Sequence, residues 1–262
     1  MNGSLRTSAT GMIAQQRMID VIANNLANVN TTGFKRSRVY FQDILYETMQ
    51  ESRLGEARST ENVGPVQIGR GVRVGAVSRL HAQGAVAVTD RPLDIAIEGE
   101  GFLQIQRSDL TTAYTRDGGL TLSDTGALVT TDGYPVLPGI TIPPEATSVG
   151  IAPSGLVTAT SEGSTEPVEV GRLELARFIN SSGLLSIGEN QYQATPASGE
   201  PILGFPDENG FGRLLSGALE SSNVEIVQEM TDMIAAQRAY EINARAIQAS
   251  DDMAKQTNEL IR

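Results

Sequence analysis

The 262-residue chain carries a formal charge of -11 and is 40% hydrophobic, enough apolar material for one large domain or two ordinary ones. That charge argues against a nucleic-acid or anionic-membrane surface, because phosphates need a basic face and Lys35, Arg36 and Arg38 form the only local basic cluster. With no cysteine the chain can hold no disulfide, thiol nucleophile or thiolate metal site.

The N-terminal segment lacks the continuous apolar run of a secretory signal, and no window approaches the roughly 18 apolar residues of a membrane span. The chain is expected either in the cytosol or exported by a route that needs no cleaved signal. From Leu5 to Asn30 the apolar residues follow a heptad. Leu5, Met12, Ile19 and Leu26 lie seven apart, and Ile22 and Val29 occupy the second seam position, which is coiled-coil spacing. The pattern runs into "IANNLANVNTTGFKR", which places asparagine, a mediocre helix former, at positions 24, 25, 28 and 30. On a helical wheel Asn24 and Asn28 flank one side of the seam and Asn25 lies near its other border. A carboxamide both donates and accepts, so these three can set register against neighbouring helices without a charge. Gly33, after Asn-Thr-Thr, reads as the helix stop.

Residues 51–71 are polar and nonperiodic and predict a connecting arm or loop. The texture then becomes β. Alternating runs such as "LDIAI", "FLQIQ", "GLTLSD" and "VEVGRLELA" are separated by Asp117-Gly118, Thr125-Gly126, Asp132-Gly133, Ser154-Gly155 and Ser182-Gly183, the pattern of short antiparallel strands in a sandwich or barrel-like domain. The single histidine, His81, has no second His or Cys to complete a metal site, and Asp117, Asp124 and Asp132 lie too far apart for a calcium loop. No catalytic, cofactor or metal site is expected.

The C-terminus returns to heptads: Ile226, Met233, Tyr240, Ile247, Ala254 and Ile261 recur every seven residues, flanked by Val227, Met230, Ile234 and Ala244. Ser222 with Glu225 makes a capping box, which predicts the helix start. "MIAQQR" at residues 12–17 and "MIAAQR" at 233–238 suggest that the two ends are counterparts. The reading is an α+β multidomain chain: residues 1–35 with 222–262 form a discontinuous terminal-helix coiled coil, 36–75 an extended arm or loop, and 76–221 a mainly antiparallel β-rich outer domain. Each large side chain buried in such seams contributes about 1.5–3 kcal/mol, against roughly 1–2 kcal/mol of backbone entropy per ordered residue. The two seams cannot order the termini by pairing only with each other, so their burial is expected among several copies of the chain.

Four segments carry a resemblance. "ANNLANVNTTGFKR" and "IVQEMTDMIAAQRAYEINARAIQASDDM" resemble the N- and C-terminal helices of the bacterial flagellar rod and hook axial proteins, and "DRPLDIAIEGEGFLQI" and "YTRDGGLTLSDTGALVTTDGYPVLP" resemble their shared β segments. Within that family, the length and the segment from Gln67 to Phe102 look most like the distal-rod branch, and the polar arm resembles an insertion thought to keep that tube straight. The resemblance implies a homo-oligomer that stacks into a hollow helical tube, with terminal helices inside and β-domains outside. It further implies export through the flagellar apparatus, and proximal rod proteins, the hook protein and the outer ring bushings as partners, with no nucleic acid and no membrane insertion. The expected self-assembly residues are Leu5, Met12, Ile19, Ile22, Asn24, Asn25, Leu26, Asn28, Val29, Ile226, Met230, Met233, Ile234, Tyr240, Ile247 and Ile261. Two other readings remain: another axial protein, either proximal rod or compact hook, or a secreted carbohydrate-binding β-domain. The 5% aromatic content and lack of Trp argue against the last.

Overall fold

The computed structural model describes residues 3–50, 66–161 and 167–260, and has a helix at each end of a chain otherwise built from short, mainly antiparallel strands, an α+β fold. The residues cluster into two compact units. One holds Met1–Leu26, Ser37–Ser78 and Ile226–Arg262; the other holds Ala27–Arg36 and Arg79–Glu225.

The first unit contains α1 (Gly3–Ala27), strands β1 (Ser37–Asp43), β2 (Tyr46–Gln50), β3 (Val66–Gly69) and β4 (Val72–Arg79), and the long helix α2 (Ile226–Leu260). β1 pairs with β4 and β2 with β3. Tyr46 stands opposite Gly69, and the Ile44 N–H donates to the Gly71 carbonyl at 2.9 Å, so both ladders keep one antiparallel register and form the two sides of a single hairpin. Of the arm or loop expected over 36–75, residues 51–65 lie outside the described residues, while 37–43, 46–50, 66–69 and 72–75 are strand.

Both helices are shorter than their sequence signals, because tertiary and local hydrogen bonds win over helical ones. α1 ends at Ala27, not near Gly33. There the Asn28 carbonyl accepts from the Thr31 N–H and its Oδ1 from the Thr31 hydroxyl, both at 3.2 Å, which turns the chain and leaves Val29 beyond the helix. Gly33 has a different job: at φ +67° it passes so close to Arg116 that a Cβ would sit 2.8 Å from that residue's carbonyl carbon. α2 begins at Ile226, four residues after the expected cap. Asn223 is held outside the helix instead, accepting from the Arg36 N–H at 2.7 Å and donating to the Leu80 and Ala82 carbonyls at 2.9 and 3.0 Å.

The second unit contains β5 (Val86–Val88), β6 (Ile95–Glu98), β7 (Phe102–Gln106), β8 (Thr112–Thr115), β9 (Leu120–Leu122) and β10 (Leu128–Thr130). Then come β11 (Ala146–Ile151), β12 (Leu156–Ser161), β13 (Val168–Arg172) and β14 (Leu175–Arg177). The series ends with β15 (Leu185–Gly188), β16 (Gln191–Gln193), β17 (Ile202–Gly204), β18 (Arg213–Ser216) and β19 (Ala218–Glu220). A six-stranded sheet runs β15-β16-β8-β7-β14-β17, beside a three-stranded sheet β11-β12-β13 and the pairs β9/β10, β6/β18 and β5/β19. The large sheet is covered on both faces: Leu103 and Ile105 enter the main aliphatic core, while Phe102 joins Tyr114, Phe178 and Tyr192 in an edge-packed aromatic cluster. Thr125-Gly126 and Ser154-Gly155 connect neighbouring strands as expected. Asp117-Gly118 does not make a hairpin; a Cβ at Gly118 would lie 1.6 Å from the Ile95 carbonyl oxygen, so glycine there permits a close backbone approach.

The segment that leaves α1 is pinned into this unit by a buried charge cluster. Lys35 and Glu220 have no exposed side-chain surface, and the Lys35 Nζ donates to Glu220 Oε1 at 2.5 Å and to the Ala82 carbonyl at 2.8 Å. Glu220 Oε1 also accepts from the Gly84 N–H, and Oε2 faces Arg116 Nη1 at 3.3 Å. Arg116 donates in turn to the Gly99 and Ile97 carbonyls, and the Gly33 N–H to the carbonyl of Glu220. Burial pushes the Lys35 amine below its usual range; the hydrogen bond to Glu220 opposes that shift. One buried anion thus serves two buried cations. Glu220→Ala should therefore destabilise the second unit by about 3–5 kcal/mol, and Lys35→Met by less, because Arg116 still faces the carboxylate. Urea denaturation followed by circular dichroism separates the two; equal losses would show that the shared anion is not what holds the cluster.

His81 lies beside the same cluster, edge-on to Phe102 and Tyr192 at centroid distances of 5.6 and 5.4 Å. Burial, then the charges of Lys35, Arg116 and Arg79, push its pKa down to about 4. The folded chain therefore binds fewer protons than the unfolded one, where the value is about 6.5. His81 costs no stability above that value, and as pH falls towards about 4 its protonation removes up to about 3 kcal/mol. The urea midpoint should fall between pH 6.5 and 5, and His81→Phe should flatten that slope.

Candidate self-assembly surface

α1 and α2 pack antiparallel. Asn25 Nδ2 donates to Glu229 Oε2 at 3.1 Å, and at the other end a Cβ on Gly11 would meet Asn243 Oδ1 at 2.9 Å. Fourteen residues separate the contacts on each helix, two heptads, which fixes the register and sets Met18 opposite Ala236. The line facing α1 is made of small and polar residues: Glu229, Ala236 and Ser250 are buried and Asn243 is half-buried, each seven from the next. Small residues let helix axes approach closely, which large aliphatic ones prevent. At 100° per residue this line runs about 60° round the helix from the apolar stripe that the sequence singles out.

The apolar stripe is left largely outward. Ile226, Met230, Ile234 and Tyr240 are exposed at 48%, 50%, 50% and 39%, and Val227 beside them at 80%. Leu5, Met12, Ile19, Leu26, Asn28, Val29, Met233 and Ile247 are half-buried, and Asn24 is exposed. Ile22 and Asn25 differ. Both are buried within the chain, and Asn25 is fully engaged there, its Oδ1 accepting from the Ser37 N–H at 2.8 Å and its Nδ2 donating to the Ser37 carbonyl at 2.9 Å as well as to Glu229. The carboxamide does supply register, as its chemistry suggests, but to its own α2 and β1; neither residue is available to a second molecule. Ile261 lies outside the described residues.

The outward patch is local. Ile226, Val227, Met230 and Ile234 gather in the first turns of α2, whereas the same side of its later turns carries Gln237, Arg238, Glu241 and Arg245. Among the described residues no helix is long and apolar enough to cross a membrane. Sequence reasoning missed Gly11, Glu229, Lys35, Arg116 and Glu220. The last three had a faint signal, since each is a charge set inside an otherwise apolar or turn-rich run, "GFKR", "AYTRDGG" and "GALES".

Comparison with known proteins places these features in a family. Three family models match in chain order: "Flagella basal body rod protein" over residues 5–35, "Flagellar hook protein FlgE/F/G D1 domain" over 96–159, and "Flagellar basal body rod FlgEFG protein C-terminal" over 215–260. Terminal helices flanking a β unit, matched piece by piece in this way, define a protein of the flagellar rod and hook class. The flagellar basal-body rod protein FlgG of Caulobacter vibrioides is 48% identical over 260 residues, covering 98% of both chains, and that of Borreliella burgdorferi is 46% identical over 266 residues, covering 100% of both. The rod protein FlgF of Caulobacter vibrioides is 32% identical over 264 residues. The chain belongs to the FlgG family of basal-body rod proteins and is a structural subunit of the distal rod.

Because Asn25 satisfies both backbone groups of Ser37 and a buried carboxylate, Asn25→Ala should lower the stability of the helical unit by about 2–3 kcal/mol. Denaturation monitored at the helical circular dichroism band measures this, and a loss under about 0.5 kcal/mol would mean that the site collapses or hydrates without penalty.

Proposed function

We propose that the chain polymerises through its terminal helices into a straight hollow helical tube, the distal section of the rod, which acts as a drive shaft carrying torque to the hook. One observation carries the reading: after α2 has packed on α1, Ile226, Val227, Met230 and Ile234 still point away from their own chain. Full burial of such a side chain contributes about 1.5–3 kcal/mol, and covering the roughly half of each that is still exposed contributes about half of that, which sums along a tube. The interface takes in the half-buried seam residues Leu5, Met12, Ile19, Leu26, Met233 and Ile247, with Asn24, Asn28 and Tyr240 at its border and Ile261 continuing the heptad.

The role is mechanical, not catalytic. Proximal rod proteins adjoin one end of the tube and the hook protein the other, while the outer ring proteins surround it. Export proceeds through the flagellar apparatus. Met230→Asp combined with Ile234→Asp should abolish tubes in electron micrographs while the second unit keeps its denaturation midpoint, since a buried unpaired charge costs several kcal/mol. Normal tubes from that variant would refute the proposal.

A further inference from the structure

The hairpin of the helical unit is interrupted once, and both strands break at the same level. β1 gives way to β2 across Ile44 and Leu45, and β3 to β4 across Arg70 and Gly71. The break divides the hairpin into a near half, β1 with β4, and an outgoing half, β2 with β3. The near half lies along α1, where Val74 and Val77 share an apolar groove with Ala14 and Val21. In the outgoing half Tyr46 and Ile68 are 51% and 52% exposed, and Leu45, at the break, 83%.

α1 holds the near half at both ends. At one end Asn25 engages both backbone groups of Ser37. At the other a single hydroxyl joins the two backbones: Thr10 Oγ1 donates to the Thr7 carbonyl at 2.8 Å and accepts from the Val72 N–H at 3.3 Å. The two holds are matched in length, since Thr10 to Asn25 is about 22 Å of helix and Ser37 to Ile44 about 23 Å of strand. The Ile44 N–H is bonded across the break to the Gly71 carbonyl at 2.9 Å. Gly71, at φ +116°, passes so close to the helix that a Cβ would overlap the Thr10 hydroxyl and lie 3.4 Å from the Thr7 Cα. The interruption of the hairpin thus falls at the Thr10 hold.

We propose that Thr10 is a positioning residue, a latch that fixes the direction in which the outgoing half of the hairpin leaves α1. With the hydroxyl in place, the backbone at the break is tied to the helix through one atom and can turn only as α1 allows. Without it the near half keeps its hold at Ser37, but the break becomes a joint. A hairpin kept in one direction before any contact spares a partner the entropy of ordering it, so Leu45, Tyr46 and Ile68 are presented already placed.

The chain contains no cysteine, so paired nitroxide labels can be introduced cleanly. One pair, Gln16→Cys with Gln67→Cys, spans α1 and the outgoing half; the other, Gln16→Cys with Arg38→Cys, spans α1 and the near half, all at exposed positions. Pulsed dipolar spectroscopy on the full chain, diluted with unlabelled chain, reads each distance within one molecule. Thr10→Val keeps the shape of the side chain and removes the hydroxyl; it should broaden the first distance distribution by about twofold and leave the second unchanged. Thr10→Ser should keep the width of the parent. An unchanged first distribution in Thr10→Val overturns the latch, and so does equal broadening of both pairs, which marks an ordinary packing contact. A serine variant as broad as the valine one also overturns it, because the hydroxyl would then not be what holds the break.

Discussion

Glu229, Ala236, Asn243 and Ser250 give α2 an inner edge without a large aliphatic side chain, and that choice governs what the outside of the helix can do. A helix pair seamed with leucines would consume its hydrophobic surface internally. Here close approach and hydrogen bonding, Asn25 to Glu229 and Gly11 against Asn243, specify the pairing, so Ile226, Met230 and Ile234 remain as outward surface. Polar contacts give register within the molecule, and the apolar patch is left exposed.

The buried cluster of Lys35, Glu220 and Arg116 solves a different problem. α1 is followed by a run of asparagines and threonines with little apolar content, which by itself would leave the chain after Ala27 without a fixed course. Lys35 is drawn wholly inside the β unit and Gly33 is bonded to the backbone of Glu220, so the exit from the helix is fixed by electrostatics in a dry environment. The adjoining His81 stays neutral because it is packed among rings beside several cations.

Much of this was readable from residue order. The terminal helices, the antiparallel character of the middle and the turns at Thr125-Gly126 and Ser154-Gly155 follow from periodicity and turn chemistry, and the family follows from four motifs in sequence. Three things did not follow. Helix ends were misplaced because Asn28 closes a local turn with Thr31, and Asn223 bonds to Arg36, Leu80 and Ala82, partners that only the folded chain supplies. The inward edge of α2 escaped notice because hydrophobic periodicity marks where greasy residues lie, not which of two adjacent faces is hidden. Lys35, Arg116 and Glu220 are far apart in sequence, and nothing local announces that they converge.

The helical unit is assembled from the first and last parts of the chain, and the polypeptide passes between the two units four times, after Leu26, Arg36, Ser78 and Glu225. Whatever is made or delivered N-terminus first therefore carries α1 long before its mate exists. α2, with the outward apolar patch at its start, can take its place on α1 only after residues 226–260 have followed, so the order of the chain alone fixes when the helical unit can close.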